Sequence, residues 1–391
     1  MSMQEAVIVS AVRSPVARGK ADGALAGVHP VDLSATVMRA AVDRIGLDPA
    51  ELDDVLWGCA LPEASQGLNL SRLSLLRAGF PVDVPGATVN RFCSSGLQTV
   101  AMGAQAVMTG MATAVLAGGV EMMSRVPMAG YHTRVHPDIA EDYISMGLTA
   151  ERVAERWHIS REAQDRWALG SHQKAVAAWE AGRFDGQIVP IATQDYSWNG
   201  NKKTVSERRF SRDETMRPDT SLERLAALRP AFKVSGTVTA GNASPFSDGS
   251  AAAVVMSAER AKELGIEPLA RFITFAVAGV EPDVMGVGPT KAVPKALKRA
   301  GLRLGDVKLI EFNEAFASQV LAVIETLDLP EEIVNVNGGG IALGHPLGAT
   351  GAKLTTGLIH ELRQRGGGIG LVTMCVGGGM GAAGLFEVYP G

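Results

Sequence analysis

Cys93 stands in VNRFCSSGLQ (89–98), between a polar Asn-Arg pair and a Ser-Ser-Gly run that opens an apolar helical pattern. Leu97, Val100, Ala101, Ala104 and Val107 recur on one helical face behind it. At such a helix start, free N–H groups and the positive end of the macrodipole would pull a thiol below its free value of about 8.5 and make it a nucleophile. The competing reading is an inert cysteine packed as a small hydrophobe. In NGGGIALGHPLGATGAK (337–353), His345 lies among glycines that let the backbone bend tightly and another group come close, which suits a general base. In TMCVGGGMGAAG (373–384), a predicted strand delivers Cys375 into a glycine turn whose N–H groups suit an oxyanion. A G-x-G-x-x-G dinucleotide loop fits that segment poorly, because no further helix and strand follow it in this sequence. EFNEAFA (311–317) offers Asn313 to hold a water or a carbonyl oxygen. Glu314 beside it reads as an acid or, more plainly, as a helix-start carboxylate. His132 and His136 in HTRVH have helix-compatible metal spacing with no third ligand nearby, so no metal site is expected.

The elements that must position these groups alternate short β-branched runs, as in AVIVSAV (6–12), TAVLAGG (113–119) and GIGLVTMCV (368–376), with helical patterns such as PVDLSATVMRAAVDRIG (30–46). That is the signature of an α/β protein with helix-covered sheets. The chain also repeats itself. AAVDRIGLDPAELDDVLWG (40–58) is matched by KALKRAGLRLGDVKLIEF (295–312), and the Cys93 loop, its helix and AVLAGGVEMMS are matched by the His345 loop, its helix and LVTMCVGGGMG. Two copies of one α/β unit are therefore expected, spanning 1–120 plus 248–270 and 271–391. An inserted stretch at 121–247, with an amphipathic helix over 160–182, is expected to cover the site and make subunit contacts.

Composition narrows the chemistry. With 391 residues, 46% hydrophobic, the chain can bury a large core. Aromatic residues make up only 5% and the net charge is -4, so neither base stacking nor a global field for a polyanion is available and nucleic-acid binding is not expected. The basic run NKKTVSERRFSRD (201–213) reads as a solvated loop. Three cysteines without a C-x-x-C pair support neither a disulfide framework nor a thiolate zinc site. A reducing compartment is expected. The opening residues lack a leader or apolar span and the last lack a peroxisomal tripeptide, so a cytoplasmic protein is expected.

Taken in order, NRFCSSG, GTVTAGNAS, NEAFA, GHPLGATG and CVGGGMG resemble the thiolase family across essentially the whole chain. The resemblance implies two similar halves in a five-layer αβαβα sandwich with an inserted loop domain. It implies coenzyme A thioesters as substrates with no permanently bound cofactor, and a homodimer or homotetramer that could work beside a β-oxidation partner subunit. Cys93 then corresponds to the nucleophile, His345 to the base that activates it and Cys375 to the second acid/base. Asn313 would hold a water that shares one oxyanion hole with the His345 ring, and the N–H groups of Cys93 and Gly377 would form the other. For coenzyme A the resemblance points to Arg217, Ala240, Ser244, Met285 and Phe316. Pro245 and Phe246 depart from the family's commoner small residue and push Ser244 toward extended geometry.

Phe92, Ser94 and YISMGLTAERVA (143–154) resemble the degradative 3-ketoacyl-CoA thiolases rather than the biosynthetic acetyl-CoA acetyltransferases. A decarboxylating ketosynthase would be expected to carry a second histidine where Asn313 stands. From another class, a non-catalytic coenzyme A-binding or thiol redox protein would also account for two accessible cysteines.

Overall fold

The structure, a computed structural model, describes residues 3–126, 135–199 and 202–391, with the side chains of 195–204 outside the description. The first half runs β1 (Ala6–Arg13), β2 (Ala17–Arg18), α1 (Pro30–Asp43), β3 (Asp54–Gly58), α2 (Leu70–Arg77), β4 (Gly86–Val89), α3 (Ser95–Met108) and β5 (Ala114–Met122). The insert follows with α4 (Met146–Arg156), α5 (Arg161–Glu180), β6 (Ile191–Asn199), β7 (Lys202–Phe210) and α6 (Leu222–Ala226). The chain then returns through β8 (Ser247–Ser257) and α7 (Ala258–Glu263). The second half runs β9 (Ala270–Gly279), α8 (Pro289–Ala300), β10 (Val307–Phe312), α9 (Ala317–Leu327), α10 (Gly340–Leu343), α11 (Leu347–Gln364), β11 (Gly368–Val376) and β12 (Met380–Val388). The basic run is thus mostly strand β7, paired antiparallel with β6, and not the loop its charge suggested.

The repeat is visible in the strand order. The first half is arranged β4-β3-β5-β8-β1, the second β10-β11-β12-β9, and the place equivalent to β4 is taken by a single parallel bridge between Ile310 and Val334. In each half the parallel strands (β3, β4 and β5; β10 and β11) carry the crossover helices and an antiparallel pair closes the sheet. The two sheets meet at a short antiparallel junction, Val7 with Arg271 and Ile8 with Ala270.

Three apolar cores stack through the molecule. One lies under α1 and α2, where Leu33, Val37 and Met38 are buried against Val55, Leu116 and Val254. A second lies under α8 and α9, around Val293, Phe312 and Val320. Between the sheets runs the third, in which α3 and α11 pack on strands of both halves through Leu97, Val100, Leu354 and Leu358. This is the five-layer sandwich, with α3 and α11 as its middle layer. The apolar face of α3 expected from the sequence is fully buried there.

The middle layer is tight because α3 and α11 touch through backbone. A methyl group on Gly351 of α11 would fall 2.1 Å from the Leu97 amide nitrogen of α3, and one on Gly348 would fall 2.7 Å from Cα of Cys59. Gly351→Ala should therefore lower the thermal midpoint by the equivalent of about 1–3 kcal/mol or more. Gly170→Ala in α5, where an added methyl meets nothing within 4 Å, should be neutral or slightly stabilising. Equal melting of the two variants would contradict the close approach.

Candidate active site

Cys93 follows edge strand β4 in a tight turn, a single 3-10 turn over Phe92–Ser94 that runs straight into α3. The flanking polar residues build that turn. Asn90 Oδ1 accepts the Phe92 N–H at 2.8 Å, and Ser95 Oγ accepts the Arg91 N–H at 2.9 Å while donating to the Phe92 carbonyl at 2.7 Å. Together they hold Phe92 at φ 43°, a left-handed conformation that costs a bulky residue about 1–2 kcal/mol. The cysteine itself is 8% exposed.

Its sulfur sits among donors. Gly377 N–H and the Cys93 N–H both act on it and favour the thiolate, yet burial outweighs them and pushes the thiol up to about 11, with the nearby Glu121 charge adding to the rise. The acidic thiol expected from a helix start is thus corrected: the dipole and the N–H groups are present, but desolvation is the larger effect. Cys375, at the end of β11, is fully buried, and burial together with the neighbouring Cys93 raises its thiol further. Its Sγ lies 3.7 Å from Gln319 Oε1. Neither cysteine is accessible in the way the redox reading required.

The other two groups meet at the carboxyl ends of the second half's parallel strands. Asn313 follows β10 with its N–H on the Thr373 carbonyl at 3.0 Å, which sets it beside β11 two residues before Cys375. Its Nδ2 lies 3.2 Å from His345 Nε2, and its buried Oδ1 has no partner among the described residues. His345 Nδ1 lies 2.6 Å from Thr350 Oγ1, whose proton goes to the Pro346 carbonyl at 3.0 Å. That chain of donors makes Nδ1 the protonated nitrogen and leaves the Nε2 lone pair facing Asn313. Burial and the Lys353 ammonium lower the imidazole to about 3, so the ring is neutral.

A carboxylate that the sequence reading did not single out ties the halves together. Glu121, at the end of β5, accepts the N–H groups of Ala60 at 2.9 Å and Gly348 at 2.8 Å on Oε2, and Gln66 Nε2 at 2.8 Å and the Leu61 N–H at 3.3 Å on Oε1. It thereby holds the first turn of α11, which follows His345 directly, against the first half. The signal was there: a carboxylate inside the apolar run AVLAGGVEMM. Glu314 is likewise no helix cap. It is buried, with Ser171 Oγ at 2.6 Å, Asn335 Nδ2 at 3.0 Å, Trp167 Nε1 at 3.1 Å and the Ile341 N–H at 3.2 Å, and so fastens the Asn313 loop to α5 of the insert.

Of the residues expected to meet coenzyme A, Met285 and Phe316 pack with Cys375, Ala150, Val238 and Ala315 in one apolar cluster. Ala240 and Ser244 lie on the loop that crosses it, where the Ser244 N–H donates to the Ala315 carbonyl at 2.9 Å. The insert holds that loop: Glu151 of α4 accepts the Thr237 and Val238 N–H groups, and Asp165 of α5 accepts Asn242 Nδ2. Phe232 meets the Phe316 ring edge-on at 6.2 Å. Arg217 is outside the cluster, exposed, with its N–H donating to His172 Nδ1 at 3.2 Å. His136 caps a short 3-10 turn, whereas His132 lies outside the described residues, among which no group of three metal-ligating side chains occurs.

If Glu121 both braces α11 and opposes ionisation of Cys93, Glu121→Gln should do two things. It should cost about 1–3 kcal/mol of stability, because an amide cannot accept from all the donors a carboxylate does. It should also lower the midpoint of Cys93 alkylation against pH, since the removed anion disfavoured the thiolate. A midpoint unchanged or raised would contradict the placement of the charge.

Known proteins share this arrangement. The family description "Thiolase, N-terminal domain" matches residues 6–259 and "Thiolase, C-terminal domain" residues 266–388. A 3-ketoacyl-CoA thiolase of Bacillus subtilis (strain 168) is 52% identical over 99% of this chain and 100% of its own length. One of Yersinia pestis (strain Pestoides F) is 47% identical over 98% and 100%. The crystal structure of the Bacillus anthracis acetyl-CoA acetyltransferase superposes with a TM-score of 0.89 at 44% identity, covering 99% of each chain. With two halves of one topology, a buried cysteine on which the Gly377 N–H and its own N–H act, and full-length similarity of this degree, the chain belongs to the thiolase family.

Proposed function

We propose that this chain is a 3-ketoacyl-CoA thiolase, cleaving 3-ketoacyl-CoA with coenzyme A to acetyl-CoA and a shortened acyl-CoA. The observation that carries the reading is the sulfur of Cys93, buried beside Cys375 with the N–H groups of Gly377 and of Cys93 itself acting on it. Those donors are the ones an acyl oxygen needs once the sulfur is esterified.

In the proposed reaction both resting partners are neutral, because burial disfavours thiolate and imidazolium alike. As Cys93 Sγ attacks the keto carbon, its proton moves to His345 Nε2 and the new negative charge passes to the keto oxygen. The oxygen collapses back to a carbonyl, the bond to the α-carbon breaks, and that carbon takes a proton from Cys375 and leaves as acetyl-CoA. Cys375, now a thiolate, removes the proton of an incoming coenzyme A thiol, whose sulfur attacks the acyl-Cys93 thioester. The departing Cys93 sulfur recovers its proton from His345. Splitting one exchange into two steps through a covalent thioester is what makes the nucleophile useful. Asn313 Nδ2 and its unpartnered Oδ1 suit a water bound next to the imidazole.

Coenzyme A is a substrate in this scheme, and we assign its pantetheine to the apolar cluster of Met285 and Phe316 and the loop of Ala240 and Ser244. Arg217, exposed at the rim, is assigned to the nucleotide end. The insert 121–247 is read as the cover of this site. For assembly we infer a homodimer or dimer of dimers. Edge strand β4 is only partly covered, and Leu73 and Leu76 of α2 and Val82 beside it are 43%, 41% and 72% exposed, an edge that a second copy could close. No described helix is long and apolar enough to cross a membrane. A cytoplasmic role in β-oxidation is the setting the degradative direction implies.

The second reading, an acetyl-CoA acetyltransferase making acetoacetyl-CoA, uses the same residues and is favoured by the likeness to the Bacillus anthracis protein. Turnover measured against 3-ketoacyl-CoA of increasing chain length separates them, with activity beyond four carbons expected and confinement to four carbons refuting the degradative choice. Intact-protein mass spectrometry after brief exposure to acetyl-CoA should show an acetyl adduct on Cys93 that free coenzyme A removes. Cys93→Ala should abolish adduct and turnover, the latter by at least about a thousand-fold, whereas Cys375→Ala should retain some acylation and lose exchange. Acylation of Cys93→Ala equal to wild type would sink the assignment.

A further inference from the structure

The peptide group that leads into His345 is clamped at both ends. Its N–H, that of His345, donates to Ser247 Oγ at 3.0 Å, and its carbonyl, that of Gly344, accepts from Lys353 Nζ at 3.0 Å. Gly344 has φ +76°, and a methyl there would fall 2.6 Å from Val16 Cγ1 and 2.7 Å from Ser247 Oγ, so this backbone has no slack. With Thr350 on Nδ1 and Asn313 on Nε2, every polar atom that could orient the ring is engaged. The Lys353 end of the clamp is the unusual one: an ammonium only 5% exposed, two turns into α11.

A buried ammonium needs a counter-charge. Glu311 on β10 is the carboxyl placed to supply one: it is 6% exposed, has no hydrogen bond among the described residues, and faces with Lys353 a cavity of about 20 Å³, room for one water. Burial pushes it up to about 8 and Lys353 down to about 8, and against that burial each charge favours the other. The charged groups acting on Lys353 from the surrounding elements are Arg13 of β1, Asp213 after β7, Glu311 and Glu314. Arg13 and Asp213 satisfy each other in a bidentate pair at 2.8 and 2.9 Å, and Glu314 is held by its four donors. Glu361, which also acts on Glu311, is engaged by Asn337 at 2.7 Å and Arg365 at 2.5 Å. Glu311 is thus the carboxylate left over for Lys353.

We propose that Lys353, with Glu311 as its buried counter-charge, is a positioning residue for His345: it fixes the Gly344 carbonyl and sets a cation near the ring that adds to burial in favouring the neutral, proton-accepting imidazole. The inference rests on the reading of His345 as the base. Its electrostatic part has a definite sign, because a cation near an imidazole disfavours imidazolium, and Lys353 is the one charged group among the described residues that acts on the His345 ring besides burial. Removing it must shift the ring toward easier protonation.

The test is turnover of a 3-ketoacyl-CoA across pH for wild type, Lys353→Met, Lys353→Arg and the double variant Lys353→Met/Glu311→Gln, with His345→Asn as control. Lys353→Met should lower kcat about ten-fold or more with KM changed less than about two-fold, and should move the acidic limb of kcat/KM up by about half a unit or more. Lys353→Arg should keep the limb in place and most of kcat. The double variant buries no charge, so it should melt near wild type while showing the kinetics of Lys353→Met. Failure of both methionine variants to fold counts against the proposal, which requires the neutral pair to be tolerated. Wild-type kcat with an unmoved limb in either one overturns it, as do equal losses in Met and Arg variants with unmoved limbs, the mark of packing alone. His345→Asn turning over like wild type would instead refute the base assignment itself, whereas an inactive His345→Asn beside an unaffected Lys353→Met removes only the positioning role of Lys353.

Discussion

Backbone contact between α3 and α11 is the constraint on which the rest of this molecule depends. Each helix belongs to a different half, and each begins where a chemical group is delivered, Cys93 before α3 and His345 before α11. Side chains at the crossing would hold the helices at the usual 8–10 Å and separate those loops. Gly351 on α11 and Gly96 on α3, with the Glu121 carboxylate that grips the Gly348 N–H, let the two starts lie together. The middle layer of the sandwich is thereby both the packing core and the seat of the proposed chemistry.

That location has an electrostatic consequence. Every ionisable group at the centre is buried, and burial favours the neutral form of thiol and imidazole alike. At Glu121 and Glu314 burial likewise raises the carboxyls, and the donors that surround them oppose that rise. The four donors around each are what make the charge tolerable, and they convert it into a bracket between elements far apart in sequence. Cys93 and His345 receive fewer such partners: two N–H groups act on the sulfur, and Thr350 and Asn313 take the two ring nitrogens.

The insert contributes by carrying polar anchors rather than by adding a core of its own to the sandwich. Glu151 and Asp165 hold the loop over 237–244, and Trp167 and Ser171 hold Glu314, so α4 and α5 fix the two segments that flank Cys375. The apolar cluster around Met285 and Phe316 is thus built by the second half and the insert. The insert's share of that cluster can vary without disturbing the sulfur beneath it.

Local patterns were enough to read the strands β1, β5 and β11, the helices α1, α3 and α5, and the doubled α/β unit, because period, turn residues and repeat are properties of short segments. The residue types at Cys93, His345, Cys375 and Asn313 were legible for the same reason: each sits in a segment whose composition is odd for mere packing. The signs of their ionisation were not. A helix start predicts an acidic thiol, but desolvation depends on what other layers bury it, and only the folded chain reveals that cost to exceed the gain from N–H groups. Glu314 looked like a cap since its donors come from α5, Asn335 and Ile341, and the basic run at 201–213 looked like loop since its pairing partner β6 is a separate segment. What the sequence by itself determined is which groups exist and which elements carry them; what tertiary structure decided is their protonation and partners, because charge stability is set by all the atoms within a few ångströms and those are supplied by distant parts of the chain.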